Sequence, residues 1–359
     1  MQEKFPVGVN SLKERGKYPT VTNGTDLLGK CKSLYICINL AQQYIDMSKK
    51  IIITLLVCLL SVTTRAQEKF IFTPQWTAQA QFAGYYVALE KGFYKDAGLD
   101  VEIVYPSVTQ SALSRIQTNK SHATTLQLSQ AIEIVGDGIP LVNILQTSMN
   151  NAMVIVSRRG KNPLEQVGEK VGIWQAGFGQ VAICMSINDN LNYRWIPLAN
   201  SVNLFIEGAI DATLAMSYNE YYQLKQTGFE FTEENVYRFC DHGYNIQEDG
   251  VYMTLDYYNR HKDQARRFAE ASRKGWEYAM ENPDETLGIV MRMVQKNNIP
   301  TNPVLQKLML DEVIRLMYDR ESDKAEFRLR KDMVDKASSY MNEIGLLNRP
   351  VTYDEILAK

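Results

Sequence analysis

From residue 69 onward, short apolar runs of strand length alternate with stretches whose apolar residues recur at helical spacing. The pattern predicts strands over 70–72, 101–105, 123–128 and 141–146, with helices over 82–91, 110–119 and 129–135 between them. Gly92 and Pro106 stand where the first helix and the second strand should stop. A second alternation follows, with strands over 152–157, 170–174 and 212–216, helices over 178–191 and 219–226, and a returning strand over 251–254. Beyond residue 256 the pattern is helical, broken at 282–283, 298–303 and 322–323. In the stretch 304–318, Leu305, Leu308, Met309, Val313, Leu316 and Met317 fall on one side, as a core face does.

Two such alternations predict an α/β fold of two lobes, each a mostly parallel sheet covered on both faces, followed by a helical C-terminal part. The expected division is 68–151 for the first part of lobe 1, 152–249 for lobe 2, and 250–359 for the return to lobe 1 and the C-terminal helices. The chain would cross between lobes near 151–153 and again near 247–250. A ligand is expected in the cleft, since open α/β sheets bind beyond the carboxyl ends of their strands.

Upstream the pattern changes. Met47-Ser48-Lys49-Lys50 precedes twelve apolar or small residues, 51–62, and then Thr63-Thr64-Arg65-Ala66. A basic start, a short apolar centre and a small residue at the end describe an export signal over 47–66. The apolar run is shorter than the roughly 20 residues a membrane span needs. Residues 1–46 then read as an over-extended N-terminus, the alternative being a true extension with an internal signal anchor. Lipidation at Cys58 is disfavoured, because Val57 stands where a small residue belongs.

The 359 residues carry 39 basic and 41 acidic groups. Residues 1–66 hold nine of the former and four of the latter, which leaves 30 against 37 and a net charge of −7 for the exported part. That balance lacks the basic excess of a nucleic-acid binder. Only Cys184 and Cys240 remain beyond residue 66. They read as buried free thiols, although an oxidising compartment permits a pair.

Chemical motifs are mostly missing. His122, His242 and His261 are not at the spacing of a zinc helix, and no Walker or nucleophile-elbow sequence occurs. Gly177-Phe178-Gly179 alone is weak evidence for phosphate. Cys240-Asp241-His242 reads as a surface turn rather than a nucleophile with its base. No catalytic residue, metal or cofactor is assigned. What stands out is aromatic and amide or carboxylate residues at strand ends: Trp76 with Gln79, Gln81, Tyr85 and Tyr86; Gln127 with Ser129, which is equally a helix cap; Trp174 with Phe178; Tyr218 with Asn219 and Glu220; and Glu248 with Asp249. Aromatic walls with a few polar groups suit a flat polar molecule. Read singly, each is as easily a core residue.

The segment 76–94, WTAQAQFAGYYVALEKGFY, followed by Ala97-Gly98-Leu99-Asp100-Val101, resembles the opening of bacterial substrate-binding proteins of the thiamine-pyrimidine type, relatives of the alkanesulfonate, taurine and nitrate binders of ABC importers. Lys170-Val171-Gly172-Ile173-Trp174, Tyr218-Asn219-Glu220-Tyr221, Glu248-Asp249-Gly250 and Glu281-Asn282-Pro283-Asp284-Glu285 extend the resemblance over most of 68–300. It implies the two-lobed periplasmic-binding-protein fold (type II), hinge closure on an aminopyrimidine that is a thiamine precursor, a monomer in the periplasm, and an ABC permease as membrane partner. By analogy Trp76, Tyr85, Trp174 and Phe178 would stack on the ring, with Asn219, Glu220 and Glu248 on its nitrogens. Gln79 departs from the Asn often found after the first Trp of relatives. Three other readings stay open: a pyrimidine synthase of the same fold, a binder of a sulfonate or other small solute, and a sensor module. The synthases carry a cysteine-rich motif that residues 67–359 lack, so a binding protein and not an enzyme is expected.

Overall fold

The computed structural model describes residues 25–61 and 67–359, apart from 159, 166–167, 175–177 and 200. Gly177 and the end of the expected export signal, 62–66, lie outside the described residues, as do residues 1–24. The chain forms two compact units, Met1–Arg65 and Ala66–Lys359. In the first, Thr25–Ser61 is one helix. Among the described residues no helix is long and apolar enough to cross a membrane.

Among the described residues the second unit holds ten strands: β1 Glu68–Thr73, β2 Leu99–Ile103, β3 Ala123–Gln127, β4 Leu141–Gln146, β5 Met153–Ser157, β6 Lys170–Trp174, β7 Arg194–Leu198, β8 Ala212–Met216, β9 Val236–Arg238 and β10 Asp249–Thr254. They make two five-stranded sheets, ordered β2-β1-β3-β10-β4 and β7-β6-β8-β5-β9. As expected, most strands of each sheet run in one direction, but each sheet is mixed, with one opposed strand. β10 runs antiparallel to both β3 and β4, and β5 runs antiparallel to both β8 and β9. These are the strands that begin just after the chain has changed lobe, so each enters its sheet against the direction of its neighbours.

The apolar pattern does not predict β7 or β9. Pro197 lies inside β7, and proline, which cannot donate to a ladder, is confined to edges; β7 is an edge strand. β9 is only three residues long and lies at the opposite edge. Several helices are shorter than their apolar pattern, among them Ala112–Gln117 and Gln180–Asn188. In Pro303–Met317 the buried side includes Leu305, Met309, Val313, Leu316 and Met317, as the pattern requires, together with Gln306 and Glu312.

In lobe 1, the 20-residue helix Lys262–Glu281 covers β1. Phe268 stacks on Phe70 at 4.3 Å and on Tyr94 at 5.2 Å, and Tyr85 lies between Phe72 and Trp276. Burying one such phenylalanine contributes about 1.5–3 kcal/mol. The helix reaches its neighbour Ala83–Glu90 through glycine: a Cβ on Gly275 would lie 2.1 Å from the Gly84 carbonyl oxygen.

The two inter-lobe crossings lie side by side. Asn151 N–H donates to Asn245 Oδ1 at 2.8 Å, Asn245 Nδ2 to Asn150 Oδ1 at 3.1 Å, and Thr147 N–H to the Asp249 carbonyl at 2.9 Å. Cys184 is buried and Cys240 half-buried, and both are free thiols. Burial pushes the Cys184 thiol up to about 12, so it is inert at neutral pH. His242 stacks on Tyr237 at 4.4 Å.

Candidate binding cleft

The sequence folds polar residues into the cleft because β1, β3, β6 and β8 all end there. After β1 the chain bends through 75–79 instead of entering a helix directly. The bend is pinned: Gln75 N–H donates to Thr125 Oγ1 at 2.8 Å, and Ala80 N–H to Gln306 Oε1 at 2.7 Å. Lobe 1 thereby presents Gln75, Trp76, Gln79 and Gln81, with Gln127 from the end of β3. Lobe 2 presents Trp174, Phe178, Met216 and the corner Tyr218-Asn219-Glu220. The space they enclose, mouth included, is about 410 Å³. Trp76 and Phe178 meet across it edge to face.

Asp249 at the start of β10 organises the lobe 1 side. It accepts from Gln75 Nε2 at 2.9 Å and from Gln81 Nε2 at 2.6 Å, and Gln81 Oε1 accepts from Gln79 Nε2 at 2.6 Å. A carboxylate only accepts, so this chain fixes which end of each amide points where. Gln75 Oε1 is left buried without a partner, as are Gln127 Oε1 and Trp174 Nε1. Burial raises Asp249 to about 6, against the pull of the two amide bonds.

On the lobe 2 side, Glu220 accepts from Met216 N–H at 2.9 Å and Asn219 Nδ2 at 2.8 Å, and Gln223 Nε2 holds Asn219 Oδ1 at 2.7 Å. Burial raises Glu220 to about 7. Glu248 is raised well above the usual carboxylate range by burial and then by the charge of Asp249. No lysine, arginine or histidine is among the described residues that line the cleft.

The lobes also touch beside the cleft. Gln180 Nε2 donates to Glu133 Oε2 at 2.6 Å, and Ser129 Oγ donates to Gln180 Oε1 at 3.4 Å. On another side Ser217 Oγ donates to Glu312 Oε1 at 2.6 Å, and Arg315 pairs with Glu312 at 2.7 Å.

Of the residues chosen from sequence, Trp76, Gln79, Gln81, Gln127, Trp174, Phe178, Asn219 and Glu220 line this one cleft. Three lie elsewhere. Tyr85 is in the lobe 1 core, packed between Phe72 and Trp276. Ser129 serves the inter-lobe contact with Gln180. Glu248 lines an inner cavity behind the cleft. Tyr218 and Asp249 stand in the strand-end corners without an assigned ligand role, and Gln75 and Met216 lie outside those corners. The adjacency of Gln75 to Trp76 and of Asp249 to Glu248 was the available signal.

The lobes, sheet orders and cleft define the two-lobed periplasmic-binding-protein class. A family model described as NMT1/THI5 like matches residues 79–286, and the chain belongs to that family. It is 23% identical over 294 residues to the formylaminopyrimidine-binding protein of Halalkalibacterium halodurans, covering 78% of this chain and 86% of that one. It is also 23% identical over 289 residues to the riboflavin-binding protein RibY of Chloroflexus aurantiacus, covering 76% and 79%. Its fold matches the periplasmic aliphatic sulphonate binding protein SsuA of Escherichia coli with a TM-score of 0.58 at 10% identity, over 81% and 92% of the two chains.

Proposed function

We propose that the protein is the solute-binding component of an ABC importer and that its cleft closes on a small aminopyrimidine. The observation that carries this reading is the set of buried polar atoms left without a protein partner on lining residues: Gln75 Oε1, Gln127 Oε1 and Trp174 Nε1. A buried unpaired polar atom costs about 1–3 kcal/mol. An aminopyrimidine supplies amino hydrogens for the amide oxygens and a ring nitrogen for the indole N–H. Glu220 can take an amino hydrogen and a ring proton together. Trp76, Trp174 and Phe178 supply aromatic area.

Electrostatics favours this ligand over a sulfonate. A sulfonate carries a fixed negative charge and oxygens that only accept. The cleft offers it carboxyl groups, amide oxygens and no cation among the described lining residues. The formylaminopyrimidine named for one relative is of the favoured kind.

Closure would rotate the lobes about the segments 147–152 and 243–248, with the Gln180 contact forming as they meet. The protein acts as a carrier rather than an enzyme in this reading, exported by the signal over 47–66 and working as a periplasmic monomer beside a permease. A thermal-shift series tests it. An aminopyrimidine at a hundred times its Kd adds about 2.7 kcal/mol of stability; a series in which none raises Tm contradicts the reading.

A further inference from the structure

A smaller inner pocket, about 300 Å³ with its mouth included, adjoins the cleft, and Gln81 and Tyr218 form the wall common to both. Glu248, Asp249, Thr147 and Trp276 line it. Glu248 is 4% exposed, and its Oε1 has no partner. Asp249 is half-buried between the two glutamine amides, which are neutral. Glu220, on the outer cleft, adds a third carboxyl group to the buried Glu248 and half-buried Asp249, and the charges of all three bear on Tyr218. No lysine, arginine or histidine is among the described residues lining either space.

Burying carboxyl groups together without a counter-charge is unfavourable, and a cation placed among them removes the penalty. We infer that the inner cavity is a subsite for a protonated amino group, so that the solute is a heterocycle bearing a side-chain amine charged at neutral pH. The inference rests on the outer cleft being the ring site. An ammonium group offers three donors and accepts nothing, which matches the free Glu248 oxygen and the remaining lone pairs of Asp249. Trp276 adds an aromatic wall, a surface that attracts cations. A hydroxyl substituent would instead suit the unpartnered Trp276 Nε1. It would leave the carboxyl groups uncompensated, and that cost exceeds one unpaired indole N–H.

The test is calorimetric titration of the purified protein at pH 7 with three 4-amino-2-methylpyrimidines carrying methyl, hydroxymethyl or aminomethyl at ring position 5, and with methylammonium chloride alone. The expected result is binding of all three pyrimidines, the aminomethyl compound at least tenfold tighter than the other two, and no heat from methylammonium. In Glu248→Gln the preference for the amine should fall below threefold. Equal affinities for the three overturn the inference and leave the ring site intact. A preference for the hydroxymethyl compound also overturns it, as does methylammonium binding alone. Failure of all three pyrimidines overturns the ring site itself.

Discussion

Trp76 of lobe 1 and Phe178 of lobe 2 face each other with ring centroids 5.8 Å apart and planes at 88°. The pair spans the cleft, so the aromatic walls belong to different lobes and come together only when the lobes do.

Trp174→Ala should weaken solute binding at least tenfold, about 1.4 kcal/mol, because it removes aromatic wall and an unpaired donor together. Glu220→Ala should do the same through the loss of its acceptor. Calorimetry paired with circular dichroism checks both; unchanged affinity in the two folded variants contradicts the proposed site.

Gln180 is the test of closure. Its amide donates to Glu133 and accepts from Ser129, both on the other lobe. Gln180→Ala should speed solute release at least threefold in stopped-flow measurements without lowering the Tm of the unliganded protein by more than about 2 °C, on the order of 0.5–1 kcal/mol at this size.

The pH dependence follows from Glu220. Its folded value, about 7, lies above that of an ordinary carboxyl. Between the two values the unfolded chain releases a proton that the folded protein keeps, so stability falls as pH rises from about 4.5 to 7 and is flat above. The full effect is on the order of 3 kcal/mol. The drop in Tm from pH 5 to pH 8 should therefore be smaller in Glu220→Gln than in the native protein; identical drops contradict the assignment.

Gly275→Ala should lower stability by about 1–3 kcal/mol, since the added carbon would press on the Gly84 carbonyl and on Ala88. Urea denaturation measures it. A neutral effect would mean the two helices are less closely packed than described.

Much of this was legible in the chain. Apolar runs bounded by Gly92 and Pro106 locate strands and helices, and most of the aromatic and polar residues at strand ends line one cleft, with Tyr85, Ser129 and Glu248 among the exceptions. Direction was not legible. A run such as 251–254 reads the same whether its neighbours are parallel or antiparallel, so β5 and β10 were placed but not oriented. Depth was not legible either. Tyr85 follows the cleft residues in the chain, but helix geometry turns its ring into the core against Trp276. Asp249 and Glu248 are adjacent in the chain, and only the fold shows that Asp249 is the one that reaches the glutamines.

The central claim is that this cleft selects an aminopyrimidine by its hydrogen-bond donors and rejects anions. Calorimetric titration of the protein with 4-amino-5-hydroxymethyl-2-methylpyrimidine, and separately with an alkanesulfonate and riboflavin, tests it most directly. The account predicts saturable binding of the pyrimidine and no heat from the sulfonate. Tight sulfonate or riboflavin binding with no response to the pyrimidine would contradict it.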